Sequence, residues 1–221
     1  MSTLNNVIDE QLCKFRHPFT AICAGATSSG KSTFLCFLIR QRHKLITPVP
    51  ERVIYSYKAY QPLFETLDAG VELVQGQNYK LDKTIPTLLI IDDQFAEKNE
   101  KLIDLFCVQS HHKNTSVILV SQSLYFDDKS YRIACKNAMY TILFKSPRDN
   151  RSVNHMAHDM FEASKARAMM QAYKEATQRA YGYLVIDMKP DTPDCLRLRG
   201  NVLEHEGEMF QGAHLMHCYI I

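Results

Sequence analysis

Short apolar runs alternate with helix-like segments along most of this chain. Phe19-Thr20-Ala21-Ile22-Cys23-Ala24 is the first such run, and Thr33 to Arg42 after it carries helical periodicity. Arg52 to Tyr57 reads as a second strand, Gln61 to Leu67 as a short helix and Val71 to Val74 as a third strand, closed by the turn-like Gln75-Gly76-Gln77-Asn78. Thr87-Leu88-Leu89-Ile90-Ile91-Asp92 is apolar without alternation, the pattern of a central strand covered on both faces. A helix is expected from Lys101 to Ser110, with Leu102, Leu105 and Phe106 on one face. Ser116–Ser121 and Ala138–Phe144 read as further buried strands.

Beyond Ser146-Pro147 the pattern becomes helical. Ser164 is placed to cap a helix whose stripe is Ala166, Met169, Met170 and Tyr173. Tyr183–Asp187 returns as a strand. Leu196-Arg197-Leu198-Arg199 alternates, which predicts a half-exposed strand with both arginines on one face. Strands alternating with helices imply an α/β domain with a mostly parallel sheet between two helical layers. The boundaries are a lead-in over 1–17, one domain over 18–203 and a tail over 204–221.

The turn between the first strand and its helix reads Gly25-Ala26-Thr27-Ser28-Ser29-Gly30-Lys31-Ser32, which fits G-x-x-x-x-G-K-[ST]. Such a loop directs backbone N–H groups at a polyphosphate. Gly25 to Thr33 therefore form the candidate nucleotide site. Lys31 reaches the β- and γ-phosphates, and the Ser32 hydroxyl ligates Mg²⁺. The acids that end the central run divide two tasks: Asp92 holds the metal, and Asp93 activates or positions water.

In a parallel sheet each strand delivers its last residues to the ligand edge. Ser121 and Gln122 arrive there, and the Gln122 amide is a candidate sensor of the γ-phosphate. Phe144-Lys145-Ser146-Pro147-Arg148-Asp149 follows on the same edge. Arg148 or Arg151 is a candidate arginine finger for a neighbouring subunit, with Arg132 a weaker choice; the alternative is a surface arginine paired with Asp149 or Asp159. His111-His112-Lys113-Asn114 precedes its strand, so it belongs at the opposite edge, facing DNA, a neighbour or solvent. Lys129, Arg132, Lys136, Arg197 and Arg199 form a looser basic set.

Composition changes this picture little. A net charge of +2 neither favours nor excludes nucleic acid. Seven scattered cysteines without a C-x-x-C pair suit a reducing compartment and argue against a zinc site. No apolar run reaches the length of a membrane span, and Met-Ser-Thr-Leu-Asn-Asn lacks a signal-peptide pattern. The expected location is thus inside a cell rather than secreted.

Ala24 to Ser32, Leu89 to Asp93 and Ser110-His111-His112-Lys113-Asn114-Thr115-Ser116-Val117-Ile118, together with Leu143 to Asp149 and Ala180 to Asp187, resemble the viral genome-packaging ATPases of the FtsK–HerA superfamily. The versions in Polinton/Maverick elements and adintoviruses are most similar, and the poxvirus packaging ATPase is more distant. The resemblance runs from about Pro18 to Arg199. It implies a three-layer RecA-like P-loop NTPase of the ASCE type, with ATP and Mg²⁺ as cofactors. It further implies a homo-oligomeric ring, a hexamer by family analogy, that drives double-stranded DNA into a preformed capsid at a capsid vertex. The location it implies is the interior of a host cell, in a virus factory, the cytoplasm or the nucleus, or in association with the virion. Ser123 stands where relatives more often carry asparagine, and Asp93 where many cellular members carry glutamate. A cellular-type DNA translocase or helicase, and a nucleotide-gated assembly factor without turnover, are the competing readings. A GTPase is disfavoured because no N-K-x-D motif occurs.

Overall fold

The structure is a computed structural model and describes residues 13–92, 104–106, 110–124, 129–203 and 216–220. Its centre is a nine-stranded sheet. In chain order the strands are β1 (Phe15–Arg16), β2 (Thr20–Ala24), β3 (Ile46–Thr47), β4 (Arg52–Tyr57), β5 (Val71–Gln75), β6 (Thr87–Asp92), β7 (Thr115–Ser121), β8 (Tyr140–Phe144), β9 (Tyr183–Asp187), β10 (Leu198–Gly200) and β11 (His217–Tyr219). The helices are α1 (Lys31–Arg40), α2 (Arg42–Leu45), α3 (Ser110–His112), α4 (Lys129–Asn137), α5 (Asn150–Met160) and α6 (Ala163–Ala176).

The large sheet runs β11-β10-β9-β8-β2-β7-β6-β4-β5, and β1 pairs separately with β3. From β8 to β5 all pairings are parallel; β9, β10 and β11 join antiparallel. The β7 strand lies between the P-loop strand β2 and the acidic strand β6. The C-terminal ends of β2, β7 and β6 are thereby gathered at one sheet edge.

The unbroken apolar runs follow from coverage of both faces. Alternate residues of one strand enter different cores: Ala21 and Cys23 pack with Phe34, Leu35 and Leu38 of α1, whereas Ile22 and Ala24 pack beneath α4, α5 and α6. On α6 the buried stripe is Ala166, Met169, Ala172 and Tyr173, with Met170 only partly covered.

Several boundaries depart from the sequence expectations. The first helix begins at Lys31 rather than Thr33 and ends at Arg40. The segment after Gln61 is a 3₁₀ helix, Pro62–Thr66. The last long helix starts at Ala163 behind an extended Glu162, so Ser164 lies within it instead of capping it. The Lys101–Ser110 expectation lies largely outside the described residues.

The half-exposed arginine strand is the clearest correction. A 3₁₀ turn at Asp194–Leu196 removes Arg197 from the strand, and its Nη1 donates to the carbonyls of Asp187 and Lys189. Arg199 is 1% exposed on a strand that lies between β9 and β11, with its guanidinium set against Asp187 and the Cys13 segment. Its Nη2 donates to the fully buried Asp187 at 3.0 Å and its Nη1 to the Cys13 carbonyl at 2.5 Å. A charge this buried needs such partners. Arg199 is a structural cation that joins β9, β10 and the N-terminal segment, and it is unavailable to DNA.

The described parts of the lead-in and tail, residues 13–17 and 216–220, also contact the domain. Phe15 packs in the α1-side core, and His217–Tyr219 pairs with β10.

Candidate functional site

The P-loop connects β2 to α1 through two left-handed residues, Ser28 at φ 61° and Gly30 at φ 100°. Gly25 N–H donates to the Ser121 carbonyl at 3.2 Å, which fastens the loop to the end of β7. A side chain at Gly25 would bring a Cβ within 2.5 Å of Phe144 Cβ, so glycine is needed for that approach. The first turn of α1 carries no acidic residue and no side-chain cap. Its N–H groups and positive dipole end therefore favour an anion.

Lys31 Nζ donates to the carbonyls of Gly25 and Ala26 at 2.6 and 2.8 Å. The ammonium thus lies over the loop itself, where phosphate oxygens can compete for it. The Ser29 hydroxyl oxygen is buried without a hydrogen-bond partner. This orphaned group and the glycine cradle fit a bound phosphate chain.

A cavity of about 420 Å³ opens above the loop. Thr27 to Thr33 line it, with Asp92 from β6, Val120 and Ser121 from β7, Gln122 just beyond β7, Gln61 and Leu63 from the segment after β4, and Tyr181 from the turn before β9. The structure therefore brings the P-loop, Asp92 and Gln122 to one pocket. Gly25 and Ala26 underlie the loop through their contacts with Lys31. Asp93 lies outside the described residues.

Asp92 is 7% exposed, and Tyr55 of β4 donates its hydroxyl to Asp92 Oδ2 at 2.9 Å. Burial, reinforced by the Asp92 charge, pushes the Tyr55 phenol well above its ordinary range. It stays a proton donor at any working pH. Nothing in the chain marked Tyr55, because a tyrosine inside an apolar strand reads simply as core.

The Thr27 hydroxyl donates to Gln122 Oε1 at 3.1 Å, so the P-loop and the end of the β7 segment are in direct contact. Beyond Gln122, Ser123 Oγ donates to Asp149 Oδ2 at 3.1 Å, and Leu124 N–H donates to the same oxygen. Asp149 precedes α5 and also accepts from Ser152. Asp149, one of the two carboxylates that the sequence offered as a partner for a surface arginine, is engaged instead by the Ser123–Leu124 segment and Ser152. Arg148 itself is exposed and does not line the pocket of its own chain. Arg151 is exposed as well.

The His111–Asn114 segment resolves into separate parts. His112 is exposed, while Asn114 and Ser116 hold His17. Asn114 Oδ1 can only accept, so His17 donates from Nε2 at 3.0 Å and accepts from the Ser116 hydroxyl at Nδ1, 2.6 Å away. Ser116 Oγ also accepts from Phe19 N–H. Asn114 and Ser116 thus serve the fold at the edge opposite the pocket.

Among the described residues no cluster of metal-ligating side chains occurs, and no helix is long and apolar enough to cross a membrane.

No family model matches this sequence, and no curated protein does. Among solved structures, the chain is similar to the genome packaging NTPase B204 of Sulfolobus turreted icosahedral virus 2. In its sulfate complex the TM-score is 0.53 at 19% identity, over 77% of this chain and 91% of that one. In its AMP complex the TM-score is 0.52 at 17% identity, over 77% and 92%. This likeness establishes the fold, a P-loop NTPase fold shared with a viral packaging protein, and it agrees with the fold that the motifs imply.

Proposed function

We propose that this chain is an ATP-hydrolysing motor that drives double-stranded viral DNA into a preformed capsid. The observation that carries the reading is the convergence of Lys31, Asp92 and Gln122 on one phosphate-suited pocket. The fold shared with a genome packaging NTPase supports the viral context.

In this reading the P-loop N–H groups and Lys31 hold the triphosphate, and Lys31 exchanges its loop carbonyls for phosphate oxygens. Ser32 and Asp92 would hold Mg²⁺, which supplies charge neutralisation at the phosphates when bound. Tyr55 orients the Asp92 carboxylate for that task. Asp93 takes the proton of the attacking water, and Gln122 orients that water. Loss of the γ-phosphate changes what Gln122 contacts; through Ser123 and Asp149 the change reaches the segment bearing Arg148. An exposed Arg148 suits a finger that completes the pocket of the next subunit in a closed ring, where each interface is heterologous. The ring, its capsid vertex, the DNA and the host-cell interior belong to this proposal.

The decisive experiment is steady-state ATP hydrolysis with and without linear double-stranded DNA, using Lys31→Ala as the blank. The motor reading expects turnover that DNA stimulates and that Lys31→Ala abolishes. Turnover indifferent to DNA and to added capsid protein would overturn it in favour of a nucleotide-gated assembly factor.

A further inference from the structure

The pocket has two ends. Asp92 and Gln122 lie at the ends of β6 and β7, on one side of the P-loop strand, and mark where the γ-phosphate belongs. A nucleotide held there must leave the loop toward the other side, where β8 and β9 lie. Tyr181 stands on that side, in the turn between α6 and β9.

Its placement is unusual in three respects. The backbone is left-handed at φ 62°, a conformation that costs a bulky residue energy and that recurs at ligand clamps. The residue remains 42% exposed although it lines the cavity. It also packs on the loop's second glycine: a Cβ built on Gly30 would lie 3.0 Å from Tyr181 Cδ1 and 3.2 Å from its Cβ. The next residue locks the turn, since a Cβ on Gly182 would come within 2.2 Å of the Ala176 carbonyl oxygen. An aromatic ring is thereby held beside the start of α1, on a residue that stays accessible from the cavity.

We propose that Tyr181 is the platform on which the nucleotide base stacks, an affinity role that rests on the reading of this pocket as the ATP site. An aromatic face binds a base by stacking, which is worth about 1–3 kcal/mol, or roughly 5- to 150-fold in affinity. Stacking is tolerant of base identity because every base presents a π-face. The contribution of Tyr181 therefore extends to ATP and GTP alike, and not to a ligand without a base.

The absence of tryptophan from the chain supplies a direct test. In Tyr181→Trp the new indole is the sole tryptophan fluorophore. ATP, ADP and GTP should quench it, while inorganic tripolyphosphate should bind and leave it bright. Tyr181→Ala should weaken ATP binding about 10-fold and change tripolyphosphate affinity less than about 2-fold; Tyr181→Phe should restore ATP binding. Equal ATP affinity in Tyr181→Ala, or equal losses for ATP and tripolyphosphate, would overturn the proposal, the second outcome meaning that the ring only supports Gly30. Failure of the underlying site looks different. If the parent chain and Lys31→Ala bind both ATP and tripolyphosphate equally, the pocket assignment falls, and the stacking role with it.

Discussion

Tyr55 and Asp92 share one face of adjacent parallel strands, and the tyrosine hydroxyl donates to the carboxylate at 2.9 Å. The register pairs Tyr55 with Ile90 and Tyr57 with Asp92, so Tyr55 reaches its acceptor diagonally, two residues along β6. A buried carboxylate held in this way has one oxygen oriented before any metal arrives.

Tyr55→Phe removes that donor and leaves the ring. Outer-shell changes of this kind cost about 10- to 100-fold in metal affinity. The expected outcome is a Mg²⁺ half-saturation for ATP turnover raised about 10-fold, with kcat largely recovered at high Mg²⁺. Folding stability should fall by about 1.5–3 kcal/mol, the range for a hydrogen bond to a charged group. An unchanged Mg²⁺ titration would show that Tyr55 does not position the Asp92 carboxylate for a metal.

Arg148 is exposed and outside its own chain's pocket, whereas Lys31 lies within it. If Arg148 serves the next subunit, Arg148→Ala and Lys31→Ala should each be nearly inactive. Loss of a finger is worth about 10³- to 10⁵-fold in rate. Mixing the two variants should then restore part of the turnover, because some interfaces join an intact Lys31 to an intact Arg148. An Arg148→Ala variant with full activity at saturating protein would remove this residue from the role.

His17 is buried, and that burial lowers its pKa below the ordinary value of about 6.5, against the hydrogen bonds to Asn114, which act to raise it. The folded state then refuses a proton that the unfolded chain accepts as the pH drops below about 6.5. Stability from the neutral clamp is fully present above that pH and declines on acidification, by at most about 1.4 kcal/mol per pH unit. Urea midpoints measured between pH 7.5 and 5.5 should show this slope in the parent and a shallower one in His17→Gln. Parallel slopes would place the acid sensitivity elsewhere.

Much of the architecture was legible along the chain for a simple reason. Thr87–Asp92 and Tyr183–Asp187 are apolar without alternation, and the structure places them as interior strands, with alternate residues facing different cores. The P-loop was equally plain, since its glycines and Lys31 answer local backbone demands. Where neighbours set the outcome, local pattern was misleading. Leu196–Arg199 alternates like an exposed edge, yet β11 covers β10 and Asp187 neutralises Arg199, so the segment is interior.

The sequence by itself determined the strands β2, β4, β5, β6, β7, β8 and β9, the phosphate loop and the acid that ends β6, because these depend on spacing within a few residues. Only the tertiary structure decided what meets across the sheet. Tyr55 reaches Asp92 from 37 positions away, and Thr27 reaches Gln122 from 95. His17 is captured by Asn114 and Ser116, and Tyr181 is brought against Gly30. Such contacts depend on strand order and register, which place distant residues side by side and leave no periodic trace in either segment.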